Sequence, residues 1–327
     1  MSQQYNVGLI RASEENLAES VLKLFEVIDA FEILNGKKKI LIKPNFADTD
    51  RDLPRRNGDQ TSLEVLEAII HVLNDYIRPD EIIIGEGSAT PTWKAYFEYG
   101  IYDFARKHDI RLMDLNYDEV VRSKPQGGFF MKEVLLPKTI FDVDAIISVP
   151  VLKVWAASAI SLSIKNYTGG ILPSYWYQKY YKTQGLCNVT AWGSHPRFEP
   201  DFLYGQSKTL AAGMVDILLS APIPTLSIID GLRCLHLKSQ NAEFEFRSSS
   251  VRVDRTNLLI GGENIVAVDT VGAAVMGINP RKVIHLEMAT EKALGTNDLN
   301  KISIKGESLE NVRFRVIPPA SMREILQ

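Results

Sequence analysis

Three lysines and three carboxylates are the residues with which this chain could do chemistry. Lys43 closes an apolar run and begins K-P-N, Lys43 to Asn45. Lys153 stands at the end of the apolar stretch Ala145 to Leu152, and Lys165 with Asn166 lies in a small-residue segment that Gly169-Gly170 stops. An unpaired ammonium in apolar surroundings is costly, so each lysine needs a carboxylate, a carbonyl cluster or an anionic ligand. If a ligand is the answer, it is a small carboxylate or phosphate, with Asn45 and Asn166 giving directional hydrogen bonds. A lysine desolvated among other cations has a lowered pKa and can act as a base or an imine-forming nucleophile. Lys153, Lys165, Asp230 and Asp269 are the catalytic candidates. Lys43, Asn45, Glu86, Ser88, Asn166 and Arg233 are the substrate-binding candidates. Glu86, Asp230 and Asp269 could instead hold a hard cation such as Mg²⁺, and their oxygen-only character argues against zinc. No dedicated metal site is assigned.

The elements that must position these residues read as an α/β pattern. Residues 5–11, 39–42, 81–85 and 111–115 are expected strands. The first three are followed by helical spacing at Leu17 to Phe31, Leu63 to Leu73 and Thr92 to Lys107. That rhythm predicts a mostly parallel, Rossmann-like layered sheet with helices on both faces. In such sheets ligands gather at the carboxyl ends of the strands. Lys43 and Asn45, Glu86 and Ser88 in G-E-G-S, and Lys153 all fall at such ends. The polar loop Ala47 to Gln60, with four acids and three arginines, is a candidate lid.

Further along, Val120 to Lys138 suggests a hairpin insertion. Residues Thr225 to Ile229 read as a strand leaving at D-G-L-R, Asp230 to Arg233, and Glu243 to Arg255 alternate like an antiparallel strand or hairpin. A helix Ile265 to Met276 carries Asp269, a second spans Arg281 to Leu294, and strands at Lys301 to Lys305 and Arg313 to Ile317 close the chain. The aromatic run Tyr175 to Tyr181 is expected as core or a subunit interface, which allows a homo-oligomer. His195 and Arg197 fall in a loop, Thr183 to Pro200. The pattern divides into an α/β lobe at 1–140 and a second at 141–327 with the antiparallel hairpin, or forms one continuous domain.

Composition bounds the rest. The chain has 327 residues, 45% hydrophobic and 24% charged, with a net charge of −3, ordinary values for a globular protein. There is no basic excess for nucleic acid and no apolar run long enough to span a bilayer. The N-terminus lacks signal-peptide organisation, so the cytoplasm is the expected compartment. Two cysteines, Cys187 and Cys234, are too few for a four-cysteine iron–sulfur cluster and are expected as free thiols. Neither a dinucleotide fingerprint nor a phosphate-binding loop of the G-x-x-x-x-G-K type occurs.

Taken together, K-P-N at Lys43 to Asn45, G-E-G at Gly85 to Gly87, P-x-L-K at Pro150 to Lys153, I-K-N-x-x-G at Ile164 to Gly169, I-D-G at Ile229 to Gly231, A-V-D at Ala267 to Asp269 and M-G-I-N-P at Met276 to Pro280 form an ordered set. That set resembles the domain-of-unknown-function 362 family of bacteria and archaea. The resemblance implies an α/β domain. Some members carry ferredoxin-like iron–sulfur modules, so a non-catalytic accessory protein without its own cluster is the alternative to an enzyme. The family is similar in architecture to the lactate racemase group, which adds, by analogy of fold, a proton-transfer reading with a lysine-tethered nickel cofactor. Members often read L-K-T-H where this chain has L-K-V-W, so Trp155 stands in place of a histidine. A third reading is structural, with Lys153 and Lys165 paired to Asp230 or Asp269.

Overall fold

A computed structural model of the chain describes residues 4–46, 58–88, 91–155, 157–171, 206–239, 251–318 and 320–326. Most of the candidate lid, the run Tyr175 to Tyr181, the loop with His195 and Arg197, Cys187, and the first part of Glu243 to Arg255 lie outside the described residues.

The apolar runs form the middle of one large sheet. Strands β1 (Tyr5–Arg11), β2 (Lys39–Lys43), β3 (Glu81–Glu86), β4 (Arg111–Asp114) and β7 (Ala145–Ser148) belong to it, with the hairpin β5 (Val120–Ser123) and β6 (Val134–Pro137) forming a separate pair. Further strands are β8 (Val151–Trp155), β9 (Ala159–Ile160), β10 (Leu226–Leu237), β11 (Val251–Gly262) and β12 (Ile302–Gly306). Neighbours run β12-β1-β11-β10-β7-β2-β3-β4, and β8 pairs with β10 and β9. From β10 through β7, β2 and β3 to β4 all pairings are parallel; β11 is antiparallel to both β1 and β10. Strand β7, from the second half of the chain, lies between β10 and β2.

Strand periodicity sorts the core into two layers. Ile40 and Ile42 face one buried cluster and Leu41 faces the other. Helices α1 (Leu17–Val27), α2 (Ala30–Ile33), α3 (Leu63–Val72), α4 (Thr92–Glu98) and α5 (Ile101–His108) pack on the Ile40 side. On the Leu41 side lie α6 (Ser163–Gly170), α7 (Lys208–Leu218), α8 (Ile265–Val275), α9 (Ile284–Glu291) and α10 (Leu309–Val312). The expected α/β fold with helices on both faces is what the chain forms. Among the described residues no helix is long and apolar enough to cross a membrane.

Four local expectations are corrected. The aromatic-rich helix is two helices, because Gly100 adopts φ +71° between them and a left-handed residue ends a helix. Ala145 to Leu152 is two strands, β7 and β8, parted at Val149-Pro150, where proline offers no N–H to a ladder. Lys153 therefore sits inside β8, and Asp230 and Arg233 sit inside β10, which continues to Leu237 through an irregularity between Gly231 and Arg233. Residues 313–317 form no strand; Phe314 and Val316 bond their N–H groups to the carbonyls of Val275 and Met276 at the end of α8.

Candidate functional site

The carboxyl ends of β2, β3 and β7 meet in a rim of buried polar groups. Lys43 ends β2 and Glu86 ends β3, adjacent parallel strands, so their side chains meet at 2.6 Å with 1% and 2% of their side-chain surface exposed. The Lys43 ammonium also donates to Pro44 O at 2.6 Å and Asn166 Oδ1 at 3.3 Å, which accounts for all three of its protons. Glu86 accepts from the N–H groups of Phe46 (2.7 Å) and Gly87 (2.9 Å). Burial holds the Lys43 pKa below its ordinary value; Glu86 opposes that, and the charge of Lys153 adds to it. Gly170, the last residue of α6, closes over the pair: a Cβ there would collide with Lys43 Cε and Nζ and with Glu86 Oε1.

Lys153 is buried beside this pair and meets a different acid. It donates to Asp59 O at 2.8 Å and to Asp59 Oδ1 at 3.1 Å. An ammonium has three donors, so among the described residues these two bonds leave one N–H of Lys153 unmatched. Asn45 joins the same knot through Nδ2 to Asp59 O at 3.4 Å and through its own N–H to Thr61 Oγ1 at 2.8 Å. Thr61 Oγ1 in turn donates to Val149 O at 2.6 Å, tying the exit of β2 to the junction of β7 and β8. Asn166 spans the other side, with Nδ2 to Lys43 O at 3.2 Å and Ser148 Oγ at 3.1 Å.

Asp230 and Asp269 do not pair with the lysines. Asp230 accepts from Ser62 N (2.8 Å), Ser62 Oγ (2.7 Å) and Leu232 N (3.1 Å). It thereby anchors the start of α3 and, through the chain, Asp59 and Thr61. Asp269, in the middle of α8, accepts from Ser163 N at 2.7 Å and Ile164 N at 2.9 Å, the open donors at the start of α6. That contact fixes the helix that carries Asn166 and Gly170. Burial raises the pKa of both carboxyls, that of Asp269 to about 7, against the pull of those N–H bonds. Asp230 and Asp269 thus hold the segments that hold the lysines; in place of the expected pairing, Lys153 meets Asp59 and Lys165 lies over the Trp155 ring. The oxygens of Glu86, Asp230 and Asp269 do not come within 4.8 Å of one another as a set of three, so they do not frame a common cation site.

The remaining candidates divide. Ser88 lies just past Glu86 and Gly87, its carbonyl accepting from Asn116 Nδ2 at 2.8 Å and its N–H donating to Thr92 Oγ1 at 3.2 Å. Lys165 points the other way from Asn166, with its ammonium 4.7 Å from the centre of the Trp155 ring, a cation–π contact. Beside it is a residue the sequence did not single out: His285 of α9, buried, with neither ring nitrogen hydrogen-bonded. Burial and the Lys165 charge push its pKa down to about 3, so it is neutral. Arg233 pairs with Glu14 at 2.5 Å in an open cleft shared with Glu15 and Arg255. The residues missed at the rim are Asp59, Thr61 and Ser148. Asp59 was visible only as one acid of a polar loop.

Comparison with known proteins adds a family. The model of DUF362, a domain of unknown function, matches residues 40–274, which includes the whole rim. Among curated proteins nothing matches. The solved structure of the lactate racemase apoprotein from Thermoanaerobacterium thermosaccharolyticum is similar with a TM-score of 0.46 and 12% identity, over 85% of this chain. The chain spans 57% of the length of that protein.

Proposed function

For this chain, which belongs to the DUF362 family, we propose a small-anion site at the strand ends, with Lys153 as the residue that receives a carboxylate or phosphate. The observation that carries the reading is the unmatched N–H of a buried lysine whose present partner is itself a carboxylate, Asp59. Asp59 stands where a ligand's oxyanion would bind, and the two compete for one ammonium. Behind it lies the buried Lys43–Glu86 pair. Burial lowers the Lys43 pKa, which brings its amine form, the form able to accept a proton from a bound substrate, nearer than in an exposed lysine. Asn45 and Asn166 orient that pair and the segments around it.

The test is a thermal-shift screen of the full chain against small carboxylates, phosphates and nucleotides, repeated on Lys153→Met. A ligand bound only by the folded state raises the melting temperature. The expected result is a rise with one anion class that Lys153→Met lacks. No rise with any anion, or an equal rise in the variant, overturns the reading. Binding without turnover would retain the anion site and remove the proton-transfer role, which is the outcome an accessory protein would give.

A competing reading is that the rim is purely structural. It is favoured by the completeness of the Lys43 bonds, and it predicts no anion effect at all.

A further inference from the structure

The other end of α3 carries a cluster unrelated to the lysines. Glu67 and His71 are four residues apart on α3, so they share one helix face. His108, the last residue of α5, comes alongside: its ring lies 5.7 Å from that of His71. One ligand atom from each of Glu67, His71 and His108 can be chosen so that all three lie within 4.8 Å of one another.

His108 supplies the observation that points to a ligand. Its side chain is 8% exposed, and its Nε2 is buried without a hydrogen bond. That nitrogen is 3.2 Å from Glu67 Oε1, close enough for an ion pair but without the geometry of a hydrogen bond. A buried ring nitrogen facing a carboxylate oxygen without a well-formed hydrogen bond is an arrangement that a cation between them would satisfy.

We infer that Glu67, His71 and His108 form a binding site for a divalent transition-metal ion, with water completing the coordination. Two imidazoles and one carboxylate select zinc, nickel, cobalt or copper over magnesium and calcium. Metal–ligand bonds of about 2.0–2.2 Å place tetrahedral ligand atoms about 3.4 Å apart, so closure from the observed spacing requires side-chain rotations of about 1 Å. His71 is exposed, which gives the ion a path in. Lys107 is the competitor: its ammonium lies 2.6 Å from Glu67 Oε1, on a side chain 66% exposed that is free to turn away.

The site is far from the rim in topology. The start of α3 is tied to Asp230 near the strand ends, while His71 lies in its last turn and His108 just before β4 begins. Its test is therefore independent of the anion reading.

Zinc, nickel and cobalt chlorides are titrated into tag-free, chelator-stripped full-length chain by calorimetry, with the cobalt absorption spectrum recorded in parallel. The expected result is saturation at one ion per chain, an imidazole-ligand cobalt spectrum, and no displacement by excess magnesium. His71→Ala, an exposed position where folding is not at stake, weakens binding at least about tenfold, and Lys107→Met tightens it. No saturable binding below about 1 mM, or zinc binding unchanged in His71→Ala, overturns the inference.

Discussion

Strands β2 and β3 carry a lysine–glutamate pair at each end, and the two pairs could hardly differ more. At the amino ends Lys39 meets Glu81 at 3.5 Å, each with about a third of its side chain in water. At the carboxyl ends Lys43 meets Glu86 at 2.6 Å with both side chains buried. The residue types and the strands are the same, although the register that places Lys39 opposite Glu81 runs to Ile42 opposite Ile84, and the second pair forms just past it, where the strands end. What differs is the surroundings. Water screens the first pair, whereas the second needs Pro44, Asn166, Phe46 and Gly87 to complete its hydrogen bonds. An ion pair that the fold must build a shell around is a poor device for stability alone, and that contrast is the reason the proposed site is put at the carboxyl end.

The largest effect expected from breaking this comparison is at Lys43. Lys43→Met leaves Glu86 buried without its cation and should lower the unfolding free energy by about 3–5 kcal/mol. Replacing both partners with Met and Leu should restore most of that loss, as measured by urea unfolding. Next comes the anchor of α6. Asp269→Ala strands two backbone N–H groups and should cost about 1–3 kcal/mol.

The pH dependence of that anchor has a definite sign. The unfolded carboxyl releases its proton near pH 4 and the folded one near 7. The folded state therefore holds more proton in between, and the contribution of Asp269 to stability falls as pH rises from about 4 to about 7, then stays level. Subtracting the unfolding curve of Asp269→Asn from that of the native chain should isolate this slope.

His285→Leu sharpens the picture in the other direction. It removes two buried nitrogens without partners and should raise stability at pH 7 by about 1 kcal/mol. The unfolded histidine takes up a proton near pH 6.5 and the folded one only near 3. The native chain should therefore lose stability relative to the variant as pH falls from about 6.5 to about 3. The smallest effect belongs to the exposed pair: Lys39→Met should change stability by about 0–1 kcal/mol. A loss there as large as at Lys43 would erase the distinction between the two strand ends.

Much of this was legible in the residues. The runs K-I-L-I-K, E-I-I-I-G-E and A-I-I-S announce central strands because they are apolar on both faces, and polar residues at their ends announce the rim. Lys43, Asn45 and Glu86 were singled out that way, and Asn166 from the small-residue segment that Gly169-Gly170 stops. The partners were not legible, because pairing is set by tertiary contact and Asp59 is 94 residues from Lys153. Asp230 and Asp269 were read as catalytic groups, as ligands of a hard cation or as partners of the lysines. A sequence cannot distinguish a cation from the open N–H groups of a remote helix start, and the fold uses the latter. Arg233 was misplaced for a simpler reason: D-G reads as a turn, yet β10 passes through it with an irregularity and continues. His108 escaped notice because its neighbours, Glu67 and His71, come from a helix nearly forty residues earlier.

The central claim is that Asp59 occupies an anion's place on Lys153. It is tested most directly by calorimetric titration of the best anion from the thermal-shift screen into the native chain and into Asp59→Asn. With the competing carboxylate charge removed, the variant should bind at least about tenfold more tightly, a gain of about 1.4 kcal/mol. Equal or weaker binding in Asp59→Asn would contradict the claim, and the rim would then be a structural knot and not a site.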